Sequence, residues 1–168
     1  MIWFFENIGY VSLALLIWFI YSAATVKTWK DGARYFEEKN YSKALKIFKP
    51  LAEKDDKYAQ YFLGHMYAEG KGVEKDCKKA VELYQKSANQ GVAMAKNNLG
   101  VMYFNGDCVE RDYKKSFDLT NRAAHLGIHN AQHSLGYMYQ HGKGVEKNMT
   151  KACEWYKKAG KNPPECQN

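Results

Sequence analysis

Residues 63–67 read Leu63-Gly64-His65-Met66-Tyr67, and the phrase returns as Leu99-Gly100-Val101-Met102-Tyr103 and Leu135-Gly136-Tyr137-Met138-Tyr139, each copy 36 residues after the last. Gly70, Gly106 and Gly142 keep the same step, as do Val73, Val109 and Val145 behind them and Ala59, Ala95 and Ala131 ahead of them. Self-similarity at a period of about 20–50 residues marks a solenoid, in which each unit buries its apolar face only against its neighbours. The pattern describes a binding scaffold more clearly than a reaction.

A second set of positions beats with the first. Asn40, Asp76, Asp112 and Asn148 are strong N-cap residues, each just ahead of an apolar-periodic run. Inside those runs Ala44, Ala80, Ser116 and Ala152 share one position, and Ile47, Leu83, Leu119 and Trp155 the next apolar one. Small residues at Ala52, Ala88, Ala124 and Gly160 are expected to let helices approach closely, and Gly91 and Gly127 to end their helices. In the first helices Leu63, Gly64 and Tyr67 are expected to face the partner helix. A mid-helix glycine is unfavourable by about 1 kcal/mol, so close packing must justify it. Gly70-Lys71-Gly72 and Gly142-Lys143-Gly144 turn the chain, whereas Cys108 replaces the second glycine of the middle repeat. Upstream, Trp29, Ala33 and Phe36 mark one helix and Tyr41, Ala44, Ile47, Phe48 and Leu51 a second, joined by a shortened loop.

Ile8 to Val26 is a run of 19 residues without a charge. At about 1.5 Å per residue a helix of that length spans a bilayer core, and Trp3, Tyr10, Tyr21 and Trp29 suit its interfaces. A single-pass anchor is the expectation. A cleaved signal peptide is the rival, with Ser22-Ala23-Ala24 as a small-residue site but no basic residue before the apolar run. Formal charge is +7, and with only Glu6 charged before Lys27 the remainder carries 25 basic against 17 acidic residues. That balance permits an acidic partner or, through the lysines, an anionic lipid surface. No Arg-rich run or RNA-stacking motif accompanies it, so nucleic acid is not an expected partner.

Membrane side is set by two opposed signals. Lys27, Lys30 and Arg34 follow the span at once, which by the positive-inside rule favours the cytoplasm for the repeats. Cys77, opening a predicted second helix, and Cys108, in the next repeat's loop, should lie side by side. Cys153 and Cys166 are 13 residues apart, with Pro163-Pro164 able to turn the tail back. These two pairings point to an oxidising compartment, and the second would contribute about 3 kcal/mol; four unpaired thiols are the alternative. No CxxC pair exists, which excludes a zinc ribbon or a thioredoxin-like motif.

Ala59 to Gly91, Ala95 to Gly127 and Ala131 to Gly160 closely resemble the Sel1-like repeat of the tetratricopeptide-like superfamily, with the pattern A-x3-LG-x-MY-x2-G-x-GV followed by D-x3-A-x2-WY-x-KAA-x-xG. Local departures are Cys108 for glycine, Thr120 for the aromatic and Gly160 for alanine. The resemblance implies an all-α, right-handed helical-repeat solenoid, here behind an N-terminal transmembrane helix. The divisions expected are an anchor over 1–27, a degenerate tetratricopeptide-like helix pair over 28–55, repeats over 56–91, 92–127 and 128–163, and a tail over 164–168. It also implies a concave groove lined by the first helices. Carrying over the superfamily's groove positions gives Tyr58, Tyr61, His65 and Glu69, then Met94, Asn97, Val101 and Phe104, then Asn130, His133, Tyr137 and His141. Aromatic and Met anchors of this kind are favoured at interfaces. Trp29 and Phe36 are expected to pack the first unit.

Motifs for chemistry fail on inspection. His129 and His133 have the spacing of two metal ligands, with His125 upstream, but Gly127 breaks the helix between them and no acidic third ligand is in register. Gly136 to Gly142-Lys143 has one residue too many between its glycines for a phosphate-binding loop, no Ser or Thr after the lysine and no preceding strand. G-x-S-x-G and H-E-x-x-H are absent. The sequons at Asn40 and Asn148 coincide with helix caps and are read as structural.

The expectation is a non-enzymatic adaptor, without metal or cofactor, that binds a protein partner in its groove at a cell membrane. The partner class that the resemblance implies is an envelope signalling protein or, for the alternative reading, a toxin or effector. The alternative is an immunity-type inhibitor that neutralises a secreted toxin or effector, for example a lipolytic one, at the envelope. An enzyme built on His129, His133 and His141 is the competing class. The repeats are expected on the extracytoplasmic side, with the cytoplasmic face left open.

Overall fold

The computed structural model describes residues 27–161 and 163–166. The apolar run Ile8 to Val26, and with it the expected anchor or signal segment, lies outside the described residues. Among the described residues no helix is long and apolar enough to cross a membrane.

Eight α-helices and a terminal 3-10 turn follow one another without a strand among the described residues: α1 Trp29–Glu37, α2 Tyr41–Glu53, α3 Lys57–Glu69, α4 Cys77–Asn89, α5 Ala93–Asn105, α6 Tyr113–His125, α7 His129–His141, α8 Met149–Lys158, and Pro164–Cys166. Each helix packs on the one before and the one after it, and α1 also touches α3. This is an all-α helical-repeat solenoid.

Caps explain why the helices start and stop where they do. The side-chain oxygens of Asn40, Asp76, Asp112 and Asn148 accept the backbone N–H of Lys43, Lys79, Lys115 and Lys151 at 3.3, 3.0, 2.9 and 2.9 Å. The backbone N–H of the same four residues donates to the carbonyls of Tyr35, Tyr67, Tyr103 and Tyr139, which closes each intra-repeat loop. Between repeats the joint is shorter still. Val92 donates its N–H to Ser87 and its carbonyl accepts from Lys96, so one residue ends α4 and begins α5. Gly91 before it, at φ 89°, completes the left-handed C-terminal motif. Ile128 and Asp56 perform the same double task after α6 and α2, with Asp55 holding the left-handed slot at φ 61°. Such tight joints leave no slack between units.

Gly160 departs from its expected role. It takes the left-handed slot at φ 68° and ends α8 three residues earlier than α6 ends in its repeat; a Cβ there would meet nothing within 4 Å. Among the described residues only the turn Pro164–Cys166 follows α8, and it does not pack on Gly160, so the close approach made at Ala124 has no counterpart here.

The core runs between successive units. Ala44, Phe48 and Ala52 of α2 meet Ala59, Leu63 and Met66 of α3; Tyr84 and Ala88 of α4 meet Ala95, Leu99 and Met102 of α5; Ala123 and Ala124 of α6 meet Ala131 and Leu135 of α7. Leu99 and Leu135 are fully buried, a setting in which truncation to Ala costs about 2–5 kcal/mol. The helical glycines are justified by contact: a Cβ on Gly64 would stand 3.1 Å from the Tyr84 ring, and one on Gly136 would stand 2.8 Å from that of Tyr156.

Candidate functional site

Rings on the first helices meet at two junctions of the array, between α1 and α3 and between α5 and α7. At its N-terminal end these rings are used for packing. Trp29 lies 4.4 Å from Tyr58, Phe36 lies 5.4 Å from His65, and Phe48 stacks on Phe62 at 4.9 Å. Tyr61 contacts Phe62 and Tyr84, whose hydroxyl accepts from Asn98 Nδ2 at 3.1 Å. Burial pushes both phenols, Tyr61 and Tyr84, up from their ordinary range. Tyr58, Tyr61 and His65 are half-buried in this wall. Burial holds the His65 imidazole below its usual value against the opposing pull of Glu69, which is itself lowered by the Lys71 ammonium 2.6 Å away. Glu69 is exposed at the end of α3.

The C-terminal half is open. Val101 and Phe104 of α5 and His133 and Tyr137 of α7 surround a pocket of about 230 Å³, together with Asn105, Ser134 and Met138 and with Ser116 and Thr120 of α6 beneath. Val101 and Tyr137 are exposed at 41% and 39%, so the pocket opens on the groove face. Phe104 and Tyr137 meet edge to face at 6.0 Å across it. The structure thus brings together four of the twelve carried-over groove residues. Met94 is exposed at 41% but lies apart from the pocket, as do Asn97, which donates to Asn98 at 3.3 Å, and the exposed Asn130. His141 packs on Tyr137 at 4.2 Å with its ring tilted, and is not part of the pocket wall. Sequence reasoning missed Asn105, Ser116, Thr120, Ser134 and Met138. The signal for them was Thr120, a small residue where Phe48, Tyr84 and Tyr156 stand in the other repeats.

Several of the polar groups in and around this pocket are engaged in packing or hydrogen bonds. The Ser116 hydroxyl is committed to the Gly100 carbonyl at 2.7 Å, and the His133 ring packs on Tyr156 at 5.3 Å. His129 is exposed, and His125 packs on Trp155 at 4.8 Å. Among the described residues no group of three or more His, Cys, Asp or Glu side chains is placed to hold a metal ion.

The loop-bearing edge, where each first helix turns into its second, is ordered by a ladder absent from the expectations. Lys43, Lys79, Lys115 and Lys151 lie over the rings of Tyr35, Tyr67, Tyr103 and Tyr139 at 5.3, 5.2, 4.4 and 5.5 Å. Each of these four lysines is thus paired with an aromatic ring. On the same edge Cys77 and Cys108 form a disulfide with a Cα–Cα distance of 5.0 Å. Cys108 keeps the left-handed backbone of the glycines it replaces, at φ 65°. The neighbouring junctions have Gly72 against Tyr41 and Gly144 against the Tyr113 backbone. The bridge therefore occupies the place of a glycine–tyrosine contact. Cys153 and Cys166 form a second bridge, Cα–Cα 5.3 Å, which ties the tail to α8. In the preceding unit Phe117, the counterpart of Cys153, packs on Tyr139 of the next first helix; after α8 the tail takes that place.

The sequence profile of the Sel1 repeat matches residues 31–56, 57–92, 93–128 and 129–163, so the profile also covers the opening helix pair. None of the curated proteins matches the chain. Among solved structures, a Sel1 repeat protein from Oxalobacter formigenes is 29% identical with a TM-score of 0.74, over 79% of this chain and 55% of that one. The protein c5321, a protective antigen of uropathogenic Escherichia coli strains, is 38% identical with a TM-score of 0.72, over 77% of this chain and 28% of that one. Helicobacter pylori cysteine rich protein B shares the fold at 22% identity and a TM-score of 0.54, over 80% of this chain and 90% of that one. The chain spans about half the length of the first of these relatives and just over a quarter of the second. With four repeats matched and a shared fold, the chain belongs to the Sel1 repeat family, whose members generally mediate protein–protein interaction.

Proposed function

We propose that this chain is a non-enzymatic adaptor that binds a protein partner along the face of its first helices, while the apolar segment Ile8 to Val26 holds it at a membrane with the repeats on the extracytoplasmic side. The observation that carries the reading is the open pocket between α5 and α7, with Val101 and Tyr137 exposed at its rim and Met94 on the same face. Aromatic and Met side chains are enriched at interface centres, and an apolar cleft with few polar groups is the usual form of a binding site. The bridges Cys77–Cys108 and Cys153–Cys166 support the extracytoplasmic side, because disulfides persist in oxidising compartments.

A photo-crosslinking residue placed at Val101 or Tyr137, with Lys86 on α4 as control, tests the reading in membranes of the native host. A single protein crosslinked from the two groove positions and not from Lys86 is the expected result. Equal labelling from all three positions, or none from the groove, refutes it. A membrane-impermeant thiol reagent applied to intact cells tests the side: labelling after reduction only is expected, and labelling that needs lysis but no reductant places the repeats in the cytoplasm.

A further inference from the structure

One position of the second helices carries a ring in three repeats out of four: Phe48, Tyr84, Thr120 and Tyr156. Each side chain lies against the glycine of its own first helix, Phe48 on Gly32, Tyr84 on Gly64 and Tyr156 on Gly136, and Thr120 meets Gly100 in the same way. From there the ring extends toward the next repeat. Phe48 stacks on Phe62, and the Tyr84 hydroxyl accepts from Asn98. The third member of that receiving series, 36 residues beyond Asn98, is Ser134. At this junction both partners are small, and the 230 Å³ pocket lies between them with Thr120 and Ser134 in its wall.

We infer that this pocket receives a Phe or Tyr side chain from a bound peptide, which supplies the ring that the third junction lacks. The inference rests on the groove reading above and names the chemistry of its anchor. Size agrees: an apolar cavity of about 150 Å³ is enough to take a benzene ring. The walls agree as well, since Phe104 and Tyr137 offer a ring edge and face to an incoming aromatic, and such pairs favour tilted, edge-to-face contact. Ser134 and Asn105 supply polar atoms for a phenolic hydroxyl, in the role that Asn98 plays toward Tyr84. An unfilled hollow forfeits the packing contacts that sister junctions make, so an occupant restores contact on both sides.

The test uses the detergent-solubilised full chain, with p-cresol as probe and amide NMR shifts as readout. Saturable shifts at Val101, Thr120 and Ser134 are expected, and T120Y, which restores the ring in the chain itself, abolishes them while keeping the folded spectrum. Should T120Y not fold, S134F fills the same hollow from α7, as Phe62 does from α3, and carries the comparison. Shifts that spread over other surfaces, or that persist in the folded filled variant, overturn the inference. Peptides selected by display on the wild-type chain separate it from the reading it rests on. Peptides that need one Phe or Tyr and bind T120Y at least tenfold more weakly support it. Peptides that crosslink to Tyr137 yet bind T120Y equally overturn the pocket and leave the groove. Cresol occupancy with no peptide retained on this face overturns the groove and the peptide anchor together.

Discussion

Replacing Cys77 by Tyr and Cys108 by Gly converts the middle junction into the form its neighbours take at Tyr41 with Gly72 and at Tyr113 with Gly144. The bridge closes a loop with a sequence separation of 31, for which loop entropy gives about 3.7 kcal/mol at 25 °C. C77S/C108S loses that amount and keeps a non-glycine residue at φ 65°, a conformation that costs L-residues about 1–2 kcal/mol. C77Y/C108G loses the same bridge but relieves the backbone and regains a packed contact, partly offset by about 0.4–1 kcal/mol from the freer unfolded chain of the new glycine. The expected order of stability is wild type, then C77Y/C108G about 2–3 kcal/mol lower, then C77S/C108S about 3.7 kcal/mol lower. Urea titration under non-reducing conditions, followed by helical ellipticity, reads this as a fall in midpoint of roughly 2 M for the serine pair if m is about 2 kcal/mol/M. An unchanged midpoint for C77S/C108S, or alkylation of all four thiols in unreduced wild type, refutes the pairing. A reversed order of the two variants refutes the view that the bridge stands in for a glycine–tyrosine contact.

Gly136→Ala places a methyl group 2.8 Å from the Tyr156 ring and 3.1 Å from the Ala152 carbonyl. Overpacking of about 1–3 kcal/mol outweighs a helix-propensity gain of about 1 kcal/mol, so a lower melting temperature is expected and a higher one contradicts the packing. Asp112→Ala removes the acceptor for the Lys115 N–H and is expected to cost about 1 kcal/mol in denaturant unfolding, with Asp112→Asn close to wild type. His65 packs on Phe36 and faces Glu69 and Lys71; its folded imidazole is held below the unfolded value, chiefly by burial. The unfolded chain therefore binds the extra proton first, and stability is lost as pH falls below the unfolded pKa toward the folded one. His65→Phe should remove that loss between about pH 7 and 5, and an identical pH slope in both proteins would contradict the assignment.

The helix pattern was legible because each signal for it is local. An N-cap aspartate satisfies backbone donors two or three residues away, and a glycine at a helix end relieves its own φ, so Asp112 and Gly91 announce their roles without knowledge of the rest of the chain. The repeat compounds this, since each step offers an independent copy of the same signals. Gly160 was misread for the complementary reason. Its position in the repeat equals that of Ala124, but whether a small residue is packed or exposed depends on a following unit, and none of the described residues forms one. The lysine ladder also escaped notice, because Lys115 and Tyr103 become neighbours only when their two helices fold back on each other.

The groove divides along the same line. Resemblance placed Tyr58, Tyr61 and His65 beside Val101, Phe104, His133 and Tyr137 as equals, since a periodic rule assigns equivalent positions equivalent roles. The fold does not treat them equally: Trp29, Phe36 and Phe62 cover the first group, while Thr120 and Ser134 leave the second group open. By itself, then, the sequence determined the helices, their caps, their period and the family, all of which arise from contacts within a few residues or from repetition. The tertiary structure decided which stretch of that face is filled and which is hollow. An opening depends on the summed volumes of side chains from three helices, and no single stretch of the chain contains that sum.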